Sequence, residues 1–230
     1  MTMLIAAAAA FLAIHLLVSG TRLRDAITGA IGQGPYMGLF SLASLGTLVW
    51  MGFAYAGAKH GADPVYWSAT ATTKWIQLGL TFIAFLLVVP GLATPNPTSV
   101  RQEGALDKPD AVKGILRITR HPFLWGVAVW AAGHLMVNGD EASLILFGAL
   151  LVLAIAGTLS IDAKRRRALA DKWDGFAKAT SGVPFAAIVQ GRQSLKLGEI
   201  GWRLGLAVVV WAALVWAHPL MFGVSPLPGR

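Results

Sequence analysis

The 230-residue chain is 56% hydrophobic and only 13% charged, with a mean hydropathy of +0.63, which excludes an ordinary soluble domain and describes a membrane protein. Its formal charge of +8 points to basic cytoplasmic loops and not to nucleic acid, because Lys and Arg accumulate on the inner side of membrane proteins. There is no cysteine, so disulfides, thiolate metal sites and a cysteine nucleophile are all excluded.

The first apolar run, 3–19, is followed by its charges, Arg22 and Arg24, whereas a signal peptide carries them in front. It predicts a retained first span with its N-terminus outside, and His15 lies in its last third. Residues 21–37 read as a basic inner loop ending in Gly32-Gln33-Gly34-Pro35-Tyr36. No Lys-Ser or Lys-Thr follows those glycines, so they form a turn into span two, 38–56, and not a phosphate loop. In the outer loop, 59–73, His60 and Asp63 supply too few ligands for a metal, while Tyr66 and Trp67 suit the membrane interface. Span three, 74–92, is closed by the proline-rich stretch 93–98, and a polar inner loop continues to Arg120.

Span four covers 122–137. Proline costs nothing in the first turn of a helix, where its missing N–H would be unpaired anyway. Arg117, Arg120 and His121 are therefore expected at the water interface, as candidates for binding a substrate or lipid head group. His134 is about 13 residues further on and so roughly 20 Å deeper. An ionisable side chain at that depth is costly and marks a functional candidate. Residues 138–141 make a tight outer hairpin. Span five, 142–161, exits at Lys164-Arg165-Arg166-Arg167, an inner-face anchor. The segment 165–200 mixes Trp173, Phe176, Phe185 and Ile188 with Lys172, Lys178, Arg192 and Lys196, and is expected to lie along the inner surface as an amphipathic segment. Span six is 202–220, with a proline-containing tail at 225–228.

On this layout the inner loops hold most of the 19 Lys and Arg, and the outer side only Lys59, Lys74 and Arg230. The expected fold is an all-α polytopic membrane helix bundle, one domain over 1–230, with six transmembrane helices and both termini periplasmic. His15 and His134 both fall inside spans. Two imidazoles from different helices suit the axial positions of a haem iron, with His121 as the second choice of partner for His15. The competing reading is that each histidine simply packs with one hydrogen-bond partner. Gly126 and Gly133, seven apart on one face, admit either a flat macrocycle or a neighbouring helix.

Four stretches, 32–45 (GQGPYMGLFSLASL), 95–103 (PNPTSVRQE), 114–140 and 161–187, resemble the NnrU family of bacterial integral membrane proteins. That resemblance implies the bacterial inner membrane and an association with denitrification and nitrogen-oxide metabolism. More distantly the chain resembles the plant 15-cis-ζ-carotene isomerases, membrane enzymes that use haem b. The matching positions are His15, ahead of Ser19-Gly20, and His134, after Gly133 and the Arg120-His121-Pro122 motif. This implies haem b on His15 and His134 and a hydrophobic polyene substrate. A third implied role is a non-catalytic membrane partner for assembling or expressing denitrification enzymes such as nitrite or nitric oxide reductase. Arg120-His121-Pro122, Gly126 and Val183-Pro184 also resemble the isoprenylcysteine and phospholipid methyltransferases, which bind S-adenosylmethionine. Those carry two adjacent glutamates where this chain has Asp162-Ala163.

Overall fold

The computed structural model describes residues 1–229; Arg230, counted above among the outer charges, lies outside them. The first span is helix α1, Thr2–Ala13, which continues through a π-turn, Ile14–Val18, to a sharp bend of 78° into α2, Arg22–Ile31. The sequence reading had α2 as loop. Thr21 caps it, its hydroxyl accepting from Leu23 N at 3.2 Å, and Asp25 sits in the first turn where the helix dipole favours an acid. Gly32, at φ 86°, breaks the chain before α3, Gln33–Lys59, which holds span two and extends it at both ends.

Helix α4, Ala71–Ala93, starts at a capping box formed by Thr70 and Thr73. Helix α5 is Pro122–Val137, as expected from the proline at its start and the Asn138-Gly139 at its end. Strand β1, Val65–Ser68, pairs antiparallel with β2, Asn138–Asp140, so the outer loop and the hairpin form one small ribbon. Gly139 is required there: a Cβ would stand 2.3 Å from Trp67 O. Asp140 then caps α6 by accepting from Ser143 N at 2.9 Å, and Asp63 accepts from Ala142 N at 2.9 Å. Lys59 Nζ lies 3.0 Å from each of these two carboxylates and ties α3 to the same corner.

Helix α6, Glu141–Ala179, is much longer than the span expected within it. It continues past Lys164–Arg167 because that run, flanked by alanines, favours helix. Its end is also packed: Trp173 is fully buried and Phe176 nearly so. A break at Ala170 (φ 44°, ψ −123°) interrupts it there. The remainder of 165–200 holds only two single turns, α7 (Ala186–Val189) and α8 (Leu197–Ile200). The last long helix is α9, Trp202–Phe222.

Helices α3, α4, α6 and α9 are each long and apolar enough to cross a membrane, and the bent α1–α2 pair makes a fifth candidate when taken as one span. Helix α5, at 16 residues, is shorter. Two apolar clusters hold the bundle. One joins Leu4 and Phe11 of α1 to Met51 of α3 and Ala149 of α6. The other gathers Ile115, Leu116 and Ile118 around Trp173, Phe176 and Ile200.

Candidate functional site

The Arg120-His121-Pro122 motif lies where α5 begins. Pro122 occupies the first helical turn, and the His121 side chain does not cap the helix. It reaches across to α6, with Nε2 at 2.7 Å from Asp162 Oδ1. Arg120 grips the same carboxylate, with Nε at 2.9 Å from Oδ1 and 3.1 Å from Oδ2, and Nη2 also on Oδ2. The guanidinium lies 5.9 Å from the centre of the Trp173 ring. The backbone around it is equally engaged. Arg120 N donates to Ser181 O (3.0 Å), Asn96 Nδ2 donates to Arg120 O (3.0 Å), and Trp125 Nε1 donates to Gly182 O (2.6 Å).

This corrects the interfacial expectation for His121, which is only 2% exposed. The 180–185 segment and the 95–103 loop cover it, and its partner carboxylate comes with it. With Nε2–H donating to Asp162, Nδ1 carries a lone pair that is buried without a partner. Arg117 is likewise turned inward: Nε and Nη2 donate to Glu199 at 2.8 and 3.0 Å, and Nη1 to Gln193 Oε1 at 2.6 Å. Arg117, with Gly114 N–H, holds the Glu199 carboxyl down at about 2. The three residues expected to face a head group therefore bond carboxylates within the protein. Both oxygens of Asp162 are occupied by Arg120 and His121.

His15 and His134 share one local geometry. His15 Nδ1 is 2.8 Å from Phe11 O, and His134 Nδ1 is 2.8 Å from Trp130 O, in each case the carbonyl one helical turn back. Each ring also lies against the aromatic at that earlier position, with centroids 4.5 and 4.3 Å apart. A proton on Nδ1 satisfies the carbonyl and leaves Nε2 as the basic nitrogen, the arrangement found at metal-ligating histidines. Beyond this the neighbours differ. His15 Nε2 is 3.3 Å from Ser44 Oγ on α3, and the ring meets Phe40 edge-on. His134 stacks on Phe147 of α6, and its Nδ1 is 2.9 Å from the Gln77 amide on α4. The arrangement that satisfies all these atoms has the otherwise partnerless Gln77 oxygen toward Nδ1–H.

The two rings share no partner. Helix α6 gives their relative height, since Gly20 lies against Ser160 and His134 against Phe147. Phe147 and Ser160 are about 20 Å apart along that helix, and His15 lies about 8 Å back from Gly20, which leaves roughly 12 Å between the rings along the bundle. Among the described residues no cluster of three or more His, Asp or Glu could hold a bare metal ion. Of the two occupants open to the α5 glycines, the structure supplies the helix. A Cβ at Gly126 would stand 2.8 Å from Ala84 O, and one at Gly133 would stand 1.9 Å from Gln77 Oε1, both on α4.

Sequence reasoning missed Asp162, Glu199, Gln77 and Ser44 as partners. Gln77 carried a signal, as a polar side chain within an apolar span; the others are ordinary polar residues until the fold brings them into place.

The sequence model described as "NnrU protein" matches residues 3–226. The chain is 28% identical over 219 residues to the chloroplastic 15-cis-zeta-carotene isomerase of Arabidopsis thaliana, covering 88% of this chain and 56% of that one. It is 26% identical over 208 residues to the Zea mays protein of the same name, covering 86% and 55%. The chain thus spans about half the length of the curated relatives it matches. No solved structure matches it.

Proposed function

The chain belongs to the NnrU family, and from that premise we propose that it is a multi-pass membrane protein that binds haem b and acts on a hydrophobic, polyene-type substrate. His15 and His134 are the residues that would hold the haem through Nε2. The roughly 12 Å between their rings exceeds the about 4 Å that two nitrogens on one iron would span, so the two helices would have to close on it. The observation that carries this reading is their common geometry: in both, Nδ1 faces a carbonyl of its own helix, which makes Nε2 the basic nitrogen, with the Ser44 hydroxyl 3.3 Å from it in His15. Haem, when bound, supplies a redox-active iron whose properties follow from its axial ligands and the polarity around it. The chain's own contribution is orientation and exclusion of water. The Phe11 and Trp130 carbonyls fix the two rings, and Phe40 and Phe147 pack against them. The polyene class is supported by similarity to two proteins named as carotene isomerases over more than four-fifths of this chain.

The test is an absorption spectrum of detergent-purified protein expressed with ample haem. A Soret band is expected, and a colourless protein overturns the reading. Conversion of a cis polyene by the reduced protein then supports isomerisation. A Soret shift on adding nitric oxide, with no conversion, favours a role in nitrogen-oxide handling.

For topology we propose six spans in a bacterial inner membrane, with both termini periplasmic. The sixth span is α5, and the orientation rests on the Lys and Arg bias between alternate loops. Because the chain has no native cysteine, Asn138→Cys is expected to react with an impermeant maleimide in intact cells and Ala168→Cys to be protected. The reverse pattern overturns the orientation.

A further inference from the structure

We propose that the cleft between the end of α4 and the loop that follows it binds the phosphate of an anionic lipid head group, with Arg101 and Lys108 as its cationic contacts. The cleft has a volume of about 370 Å³ and is lined by Leu92, Pro95, Arg101, Gln102, Gly104 and Lys108 among others. It draws Pro95, Arg101 and Gln102 from the 95–103 stretch, whose Asn96 and Thr98 instead bond the backbone at Arg120.

Charge accounting singles out these two residues. Around them Arg165 is paired with Glu103, Lys113 with Asp110, Lys172 with Asp107, Arg117 with Glu199 and Arg120 with Asp162. Among the described residues, neither Arg101 nor Lys108 has a carboxylate within ion-pair distance, yet both face the same cleft. Arg203, at the start of α9, donates from Nε to the carbonyl of Ala93, a lining residue, at 3.1 Å.

The scaffold is tied down by hydrogen bonds. Thr94 and Asn96 are buried, Gln102 Oε1 accepts from Asn96 N at 2.8 Å, and Arg165 Nη2 donates to Ser99 O at 2.7 Å. Arg101 itself sits at φ 58°, a left-handed conformation that an L-residue adopts only when its surroundings impose it. A lipid, not a free phosphate, is the source because the cleft opens at the end of a membrane-crossing helix. Leu92, in its lining, and Val100, next to Arg101 in the chain, are 67% and 66% exposed and would meet acyl chains. Basic pockets between membrane helices recognise anionic head groups by this chemistry.

The experiment is native mass spectrometry of the full chain released from vesicles of equal phosphatidylglycerol and phosphatidylcholine. The wild type is expected to retain phosphatidylglycerol preferentially. Arg101→Gln and Lys108→Gln should each lower that occupancy about fivefold. Arg167→Gln, which removes an exposed charge elsewhere on the same face, should leave it unchanged. Arg101→Gly removes the charge while easing the left-handed backbone, so it tests the site even if the glutamine variant misfolds. Unchanged occupancy in the Arg101 and Lys108 variants overturns the proposal, as does an equal loss in Arg167→Gln. Equally strong displacement by millimolar glycerol phosphate would assign the site to a free phosphate and overturn the lipid.

Discussion

The histidines inside the bundle and the histidine at its inner edge are wired in opposite senses. His15 and His134 commit Nδ1 to a carbonyl of their own helix and keep Nε2, the nitrogen at the far end of the ring. His121 commits Nε2 to Asp162 on another helix and keeps Nδ1, which is enclosed. The first arrangement takes the ring's orientation from its own helix and meets a second element only through a neutral side chain, the Ser44 hydroxyl at His15 Nε2 and the Gln77 amide at His134 Nδ1. The second ties two elements together and leaves nothing at the ring's outer end. A histidine's depth in the membrane is therefore a poorer guide to its role than which nitrogen the backbone has taken.

The sharpest way to break this contrast is by substitution of all three. His15→Ala and His134→Ala are each expected to cut haem retention by at least about tenfold, read as loss of the Soret band, since even weaker perturbation around a metal ligand has effects of that size. His121→Ala is expected to leave the band in place. If only His121→Ala bleaches the protein, the nitrogen-availability argument has chosen the wrong ring.

The edge cluster should matter for stability instead. Asp162→Ala leaves the Arg120 guanidinium, with its side chain only 13% exposed, without its counter-charge. Breaking a buried pair in this way typically costs about 3–5 kcal/mol. Denaturant unfolding in detergent is expected to show a loss of that order, with haem content per folded molecule unchanged. A loss below about 1 kcal/mol would mean the cluster is solvated like a surface pair.

What could be read from the sequence follows how local each determinant is. The limits of α5 were legible because a proline at one end and Asn138-Gly139 at the other act within a turn of themselves. The multi-pass apolar character was legible from composition for the same reason. Helix α2 was missed although Thr21 and Asp25 mark its start, because the basic charges favoured a loop reading. The length of α6 was not legible, since what carries it beyond the membrane is the burial of Trp173 against residues some sixty positions earlier in the chain. The burial of His121 depended on Asp162, 41 residues away, which nothing in its own neighbourhood announces. The axial-ligand candidates were found, but Ser44 and Gln77, which decide what each ring meets, were not.

A smaller effect is expected at the α4–α5 contact that carries His134. Gly126→Ala puts a methyl carbon 2.4 Å from Val88 Cγ2 and 2.8 Å from Ala84 O. The side chain can rotate away but the carbonyl cannot, so α5 must shift, at about 1–3 kcal/mol. Because His134 Nδ1 is held by its own helix, its ring should travel with α5. The unfolding midpoint is therefore expected to fall while the Nδ1–H resonance of His134 persists; loss of that resonance would show that Gln77 on α4, and not Trp130, fixes the ring.

The smallest effect is a pH dependence at the inner face. Arg117 and the Gly114 N–H hold the Glu199 carboxyl at about 2, below its usual value near 4.5. For a carboxyl depressed on folding, the unfolded chain takes up the proton first as the pH falls. The stabilisation is then complete above about 4.5 and is lost progressively as the pH drops toward 2. Glu199 is partly exposed and Lys196 Nζ lies 3.8 Å from it, so solvent and a second cation both soften the change. The expected signature is local: amide exchange at Gly114, whose N–H donates to Glu199 Oε2 at 2.8 Å, should accelerate between pH 4.5 and 2 beyond the intrinsic trend. Arg117→Gln should move that onset to higher pH, because the carboxylate then has only Gly114 and Lys196 to favour it. An exchange profile identical in the two proteins would mean that the backbone donor alone sets the carboxyl, and that Arg117 is held in place chiefly by Gln193.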